Sequence, residues 1–166
     1  MTLSVSPPNP RRLAAAERAR AEKLARQKTA LDASPTAWRA WFDGSAHPNP
    51  GRIGIGGLLA GPAGERIEIS RRAGHGSSGD AEYLALIALL ETAVQMRVPE
   101  LLVHGDSQVV IHDVLQQAAN AKGLEAHRAR ATQLMSLLSQ VALRWIPRHK
   151  NGEADRLSQQ AAGLGD

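Results

Sequence analysis

From residue 37 onward, the chain alternates short strand-like runs with amphipathic helical segments, and this alternation restricts its fold more than any other feature. Three apolar runs separated by turn sequences predict consecutive hairpin-linked strands at 37–43, 53–61 and 65–72. Helices are predicted at 81–97, 107–119, 124–140 and 151–163, and further strands at 101–106 and 141–147. Strands joined through helices run parallel by right-handed crossovers. The sequence therefore predicts an α/β fold: a five-stranded mixed sheet, three antiparallel strands then two parallel, with helices on both faces.

Charge divides the chain into two parts. The 166 residues carry a net charge of +4, but residues 1–35 hold seven Lys and Arg against three acids, whereas the remainder holds thirteen of each. We therefore expect a basic arm at 1–35 and one domain at 36–166. The arm is rich in strong helix formers. A solvated or partly disordered helix and a phosphate-binding arm both remain open for it.

Composition excludes several classes of protein. Without cysteine, the chain has neither disulfides nor thiolate chemistry. No apolar stretch has the length of a membrane span, and the first residues lack the apolar core of a secretory signal. We expect a cytoplasmic protein, by default, with no membrane partner.

Four acidic residues lie near the ends of predicted elements. Asp43 and Asp106 each end an apolar strand, while Glu82 and Asp155 lie early in helices. The ends of parallel strands are where open α/β sheets place their active sites. Favourable placement at a helix N-terminus is the alternative explanation for Glu82 and Asp155. Carboxylates brought together repel one another, and a divalent metal is the usual reason that a protein tolerates them.

The motifs around these acids resemble type 1 ribonuclease H, which cuts the RNA strand of RNA/DNA hybrids. The stretch FDGSAHPNPG is similar to the first-strand motif of that family, and AEYLAL to its glutamate-bearing helix. HGDSQVVI and WIPRHKNGEAD are similar to its third and fourth motifs, in the same order. The short stretch before the last strand resembles the compact archaeal and plant-like branch.

The resemblance implies specific roles for the acids. Asp43, Glu82, Asp106 and Asp155 would be catalytic and would bind two Mg²⁺ or Mn²⁺ ions, with in-line attack of water leaving a 5′-phosphate and a 3′-hydroxyl. His149 would assist proton transfer, unless it is an exposed loop histidine without a function or Arg148 takes that role.

The resemblance also implies contacts to substrate. The corresponding residues are Gly44, Ser45, Asn49, Ser77, Ser78, Gln108 and Arg148. Short polar side chains suit the reading of 2′-hydroxyl groups in a shallow minor groove. Ordinary turn and cap chemistry is the alternative for Ser45, Asn49 and Gln108. Trp38, Trp41 and Trp145 are predicted to be core residues.

Endonucleolytic cleavage of hybrids is thus the leading expectation for this chain. Two alternatives stay open: cleavage of double-stranded RNA by the same site, and a ribonuclease H-like module that binds hybrids without cutting them. The sequence shows no obligate protein partner, and a monomer is expected.

Overall fold

The computed structural model describes residues 5–116 and 121–163. The helices are α1 (Pro10–Ala33), α2 (Ser78–Gln95), α3 (Gln108–Val114), α4 (Glu125–Ser136) and α5 (Gly152–Ala161). The strands are β1 (Trp38–His47), β2 (Gly51–Ala60), β3 (Arg66–Gly76), β4 (Glu100–Gly105) and β5 (Gln140–Trp145). Within those residues, no helix combines the length and the apolar character needed to cross a membrane.

The five strands form one mixed sheet in the order β3-β2-β1-β4-β5. β1, β2 and β3 pair antiparallel, as expected of hairpin-linked strands, while β4 runs parallel to both β1 and β5. The predicted fold class is therefore confirmed. The parallel pairing of β1 with β4 ends at Phe42 and Gly105, so that Asp43 and Asp106 follow directly. Asp43 is not the last residue of its strand, because β1 continues to His47 through its pairing with β2.

Helices cover both faces of the sheet, and glycines let two of them approach closely. A Cβ on Gly44 would lie 2.1 Å from the carbonyl oxygen of Ala81 in α2. A Cβ on Gly56 would lie 2.4 Å from the carbonyl oxygen of Ala154 in α5. Gly56 is paired with Asp43, and paired residues share a face, whereas neighbours along a strand point to opposite faces. Asp43 therefore points to the face of the sheet that α5 covers. Gly44 lies on the opposite face, where its lack of a side chain lets α2 approach.

Helix α1 packs against the parallel half of the sheet. Leu31 is 2% exposed and forms a small apolar cluster with Ala37, Leu102 and Ala142, which lie just before β1 and in β4 and β5. Asp32 accepts hydrogen bonds from Arg39 and Arg144. The last turns of α1 are thus held by one apolar cluster and one set of ion pairs.

The first half of α1 reaches the end of α3. Arg20 donates a hydrogen bond of 2.8 Å to the carbonyl oxygen of Leu115. The predicted helix at 107–119 is described only as far as Val114, where Leu115 caps it, and residues 117–119 lie outside the described part of the chain. Ser107 is its N-cap, as its sequence position suggests, because its hydroxyl accepts from the amide of Val110.

Candidate active site

Three carboxylates meet where β1 and β4 part. Ligand atoms of Asp43, Glu82 and Asp106 lie within 4.8 Å of one another. Glu82 lies in the second turn of α2. This helix packs directly against β1 because Gly44 has no side chain to keep the helix at a distance. The backbone of Gly44 lies close enough to the Glu82 carboxylate to lower its pKa, against the larger effect of burial. A strand, a strand end and a helix thus bring three acids to one point.

Asp106 is held by Asn151, which follows β5, and by Trp145, the last residue of that strand. Asn151 donates through Nδ2 to Asp106 Oδ2 at 2.8 Å and to the carbonyl oxygen of Phe42 at 2.9 Å. The indole of Trp145 donates to the carbonyl oxygen of Asp106 at 3.0 Å. Asn151 is 1% exposed, so its own hydrogen bonds lie largely out of water. Asn151 therefore ties the end of β4 to β1 as well as orienting Asp106.

Ser158 of α5 holds the Asp43 carboxylate from the other side. Its hydroxyl is completely buried and donates to Asp43 Oδ2 at 2.7 Å. The hydroxyl also lies 3.0 Å from the carbonyl oxygen of Asp155. Gly54 and Gly56 of β2 allow this approach, because a Cβ on Gly54 would lie 2.3 Å from the Ser158 carbonyl oxygen.

Burial and mutual repulsion raise the proton affinity of the cluster. Burial, followed by the charge of Asp106, raises the pKa of Asp43 to about 7 against the hydrogen bond from Ser158. Burial raises the pKa of Glu82 as well, and the charges of Asp43 and Asp106 add to this effect. The cluster thus favours either a bound proton or a bound cation near neutral pH.

The donor set fits a hard divalent cation. All the ligand atoms are carboxylate oxygens, which are the ligands that Mg²⁺ and Mn²⁺ prefer. Glu82 Oε2 is buried and has no hydrogen-bond partner among the described residues. A buried charged atom without a partner is costly, and a bound cation would remove that cost.

Asp155 lies beside the cluster rather than within it. It belongs to the first turn of α5, and its charge is close enough to raise the pKa of Asp43. It is not one of the three acids whose ligand atoms lie within 4.8 Å of one another. Its carboxylate lies 4.0 Å from a guanidinium nitrogen of Arg148 and 3.5 Å from the amide of Gln159.

A cavity of about 260 Å³ opens over the acids. Five of the residues predicted to contact substrate line it, namely Gly44, Ser45, Asn49, Ser78 and Arg148. Asn49 and Ser78 bond each other twice, since the Asn49 amide donates to the Ser78 hydroxyl and the Ser78 backbone amide donates to Asn49 Oδ1. The first hairpin and the start of α2 are thereby joined at the rim of the cavity.

The other two predicted contact residues lie outside this lining. The Ser77 hydroxyl forms a capping box with Asp80 at the start of α2, accepting from its amide and donating to its carboxylate. Gln108 is exposed at the start of α3.

His149 lies in a neighbouring cavity. It belongs to a 3-10 turn, Arg148–Lys150, and is exposed. With Trp41 and Asn151 it lines a space of about 480 Å³ beside the acid cavity. Of the two residues considered for proton transfer, Arg148 is thus the one that lines the space over the carboxylates.

Sequence reasoning missed three residues that orient the acids: Asn151, Ser158 and Trp145. The expectation of a core position was wrong for Trp145, which is 42% exposed because β5 ends there and its indole turns toward Asp106. Asn151 and Ser158 lie four residues before and three residues after Asp155, one helical turn away on either side. That spacing is the signal that could have identified them.

Comparisons with known proteins agree with this geometry. A family model described as reverse transcriptase-like matches residues 41–161. Ribonuclease HI of Halobacterium salinarum is 33% identical over 124 residues, which are 74% of this chain and 62% of that protein. The chain thus spans less than two thirds of the length of that relative.

Solved structures show the similarity in three dimensions as well. The crystal structure of ribonuclease H1 from Halobacterium salinarum superimposes with a TM-score of 0.73 at 30% identity, covering 76% of this chain and 98% of that one. A second ribonuclease H1, named LC11 and crystallised with an RNA/DNA hybrid, gives a TM-score of 0.69 at 28% identity. That match covers 76% of this chain and 96% of the other.

Proposed function

The chain belongs to the type 1 ribonuclease H family, and from this premise we propose that it is a metal-dependent endonuclease that hydrolyses the RNA strand of RNA/DNA hybrids. The observation that carries the proposal is the meeting of Asp43, Glu82 and Asp106 under an open cavity. A related ribonuclease H1 was crystallised with such a hybrid, which supports this choice of substrate.

The carboxylates are the proposed metal ligands. Asp43, Glu82 and Asp106 hold the divalent cations, Mg²⁺ or Mn²⁺, and Asp155 is proposed as a fourth ligand because its charge reaches Asp43. When bound, a pair of such ions activates a water and stabilises charge on the leaving oxygen of an in-line displacement, leaving a 5′-phosphate and a 3′-hydroxyl. Ser158 supports this role by holding Asp43 in place.

Residues at the rim are proposed to position the hybrid. Asn49, Ser78, Gly44 and Ser45 line the cavity and offer amide, hydroxyl and backbone groups suited to 2′-hydroxyl and phosphate oxygens. Arg148 projects over the same cavity with a side chain that is 80% exposed, where it can contact a phosphate.

Ser77, Gln108 and His149 are kept as more peripheral candidates. Ser77 and Gln108 lie at the first turns of α2 and α3, and both would contact the backbone of a bound strand. His149, in the neighbouring cavity, would take part in proton transfer only if its turn moved toward the acids.

Parallel cleavage assays on matched substrates test the proposal. We expect the wild-type protein to cut the RNA strand of an end-labelled hybrid in Mg²⁺ or Mn²⁺, to leave 5′-phosphate ends, and to stop when EDTA is added. Double-stranded and single-stranded RNA of the same sequence serve as controls. If double-stranded RNA is cut as fast as the hybrid, double-stranded RNA is also a substrate. If the hybrid is bound but no strand is cut, the protein is a binding module and not a nuclease.

We also propose that the protein acts as a monomer in the cytoplasm. A monomer is the simplest arrangement for a chain whose site is assembled from one copy. Sedimentation of the purified protein would test the monomer, and a stable dimer would contradict it.

A further inference from the structure

Most of the positive charge of helix α1 lies on residues other than those that anchor the helix to the body. Its contacts with the body include the buried Leu31, the ion pairs of Asp32 and the hydrogen bond from Arg20. Five of its seven basic residues are exposed and have no hydrogen-bond or ion-pair partner for their side chains within the described ranges 5–116 and 121–163: Arg11, Arg12, Arg18, Lys23 and Arg26. The packing of the helix therefore does not account for these charges.

Three of these arginines form a row on the outer side of the helix. Arg11, Arg18 and Arg26 are seven and eight residues apart, which is close to two turns in each case. The packed leucines, Leu24 and Leu31, are also seven residues apart and lie roughly opposite this row. The helix thus presents an apolar stripe to the body and a basic row to solvent.

The helix that carries the basic row contacts the end of α3, which begins just after Asp106. Arg20 is bonded to Leu115, which follows Asp106 by nine residues, most of them in the helical turns of α3. At 1.5 Å per helical residue, Leu115 lies within roughly 15 Å of Asp106. Ten base pairs of duplex span about 34 Å. A duplex held at the carboxylates is therefore long enough to reach α1.

We propose that the outer face of α1, formed by Arg11, Arg18 and Arg26, binds the phosphate backbone of the duplex whose RNA strand is held at the acidic cluster. This inference rests on the proposed function and adds a second point of binding to it, away from the bond that is cut. The body beyond residue 35 carries equal numbers of basic and acidic residues, so α1 supplies the net attraction to a polyanion. Phosphate binding of this kind positions a nucleic acid without reading its sequence.

The test compares two triple variants with the wild-type protein. The first is Arg11→Gln, Arg18→Gln and Arg26→Gln. The control is Arg66→Gln, Arg97→Gln and Arg130→Gln, which removes the same charge from exposed positions of the body. Arg66 pairs there with Glu68 and Glu153, and Arg130 pairs with Glu91. Binding of a fluorescent 20-base-pair hybrid is measured by anisotropy across a salt series, with EDTA present so that no strand is cut.

The α1 variant should bind about tenfold more weakly at 0.15 M salt, and the slope of log K against log salt should fall by about 2 to 3, close to one for each phosphate that is no longer neutralised. The control should change the slope by less than about one, and thermal unfolding should show both variants folded. Equally weakened binding in the two variants, or an α1 variant that binds like the wild type, would overturn the inference while leaving the proposed function intact. No binding of hybrid by the wild-type protein would overturn the inference, whereas the proposed function, whose cations EDTA removes, is decided separately by the cleavage assay in Mg²⁺ or Mn²⁺.

Discussion

At the scale of single residues, Ser158 has the most direct influence on the chemistry. Its hydroxyl is fully buried and is bonded to Asp43, whose pKa is otherwise raised to about 7 by burial and by the charge of Asp106. The hydrogen bond lowers that pKa and so favours the ionised form that binds a cation. Removing the hydroxyl therefore acts on the proton affinity of Asp43 as well as on stability.

We predict that Ser158→Ala moves the acid limb of the pH–rate profile to higher pH. The ionised form of Asp43 is lost as the pH falls through its pKa, and a hydrogen bond of about 1 kcal/mol corresponds to a shift of roughly 0.7 pH unit. The measurement is kcat/KM for hybrid against pH at limiting Mg²⁺.

Ser70→Ala is the matched control for this change. The Ser70 hydroxyl donates to the carbonyl oxygen of Leu157, in the same helix, and touches no carboxylate. It should cost up to about 1 kcal/mol of unfolding free energy without moving the profile. Identical profiles for the wild type and both variants would mean that Ser158 only supports packing.

The positions of the proposed catalytic acids could be predicted from sequence, but the residues that orient them could not. Asp43 and Asp106 follow apolar strand patterns, so their positions are visible in a linear sequence. Asn151 reaches Phe42 across more than a hundred positions, and only the folded chain reveals that contact. For Asp155, the sequence predicted more than the structure shows. Its motif is clear, but its carboxylate is not among the three whose ligand atoms lie within 4.8 Å of one another.

At the scale of elements, α1 departs most from what its composition alone suggests. A thin apolar stripe and many charges are typical of a solvated helix. The structure instead buries Leu31 against β4 and β5 and pairs Asp32 with two arginines of the sheet. Single-sequence periodicity could predict the helix, but the surface that receives it is formed by strands far along the chain.

We predict that Leu31→Ala lowers the free energy of unfolding by about 2 to 4 kcal/mol, as expected when a buried leucine leaves a cavity. Leu13→Ala makes the same change in the same helix where the side chain is 45% exposed, and should have an effect within about 0.5 kcal/mol. Urea unfolding of both variants measures the difference. Equal and negligible effects would show that α1 is a frayed arm in solution.

At the scale of the whole molecule, the sheet explains why the acids meet. The order β3-β2-β1-β4-β5 makes β1 and β4 neighbours, and their parallel pairing ends one residue before Asp43 and Asp106. The alternation of elements in the sequence was sufficient to predict a mixed five-stranded sheet, but not the strand order that places β1 beside β4. It was not sufficient to predict how closely α2 and α5 approach, because that distance depends on Gly44, Gly54 and Gly56 having no side chains.

The division of charge is also a property of the whole chain. The body brings several acids together at one edge yet is neutral overall, and α1 carries the excess positive charge along its outer face. If the site accepts a polyanion beside its own carboxylates, as proposed, metal ions at the acids and arginines on α1 would both offset the repulsion.

Single-turnover cutting of an end-labelled RNA/DNA hybrid in Mg²⁺ measures whether the carboxylate cluster performs the cleavage. Asp43→Asn should be at least about a hundredfold slower than the wild type, a loss of roughly 2.7 kcal/mol in transition-state stabilisation. Asp32→Asn, the same change in an acid that pairs with Arg39 on the surface, should cut at nearly the wild-type rate. An Asp43→Asn protein that cuts hybrid as fast as the wild type would show that cleavage does not depend on this cluster.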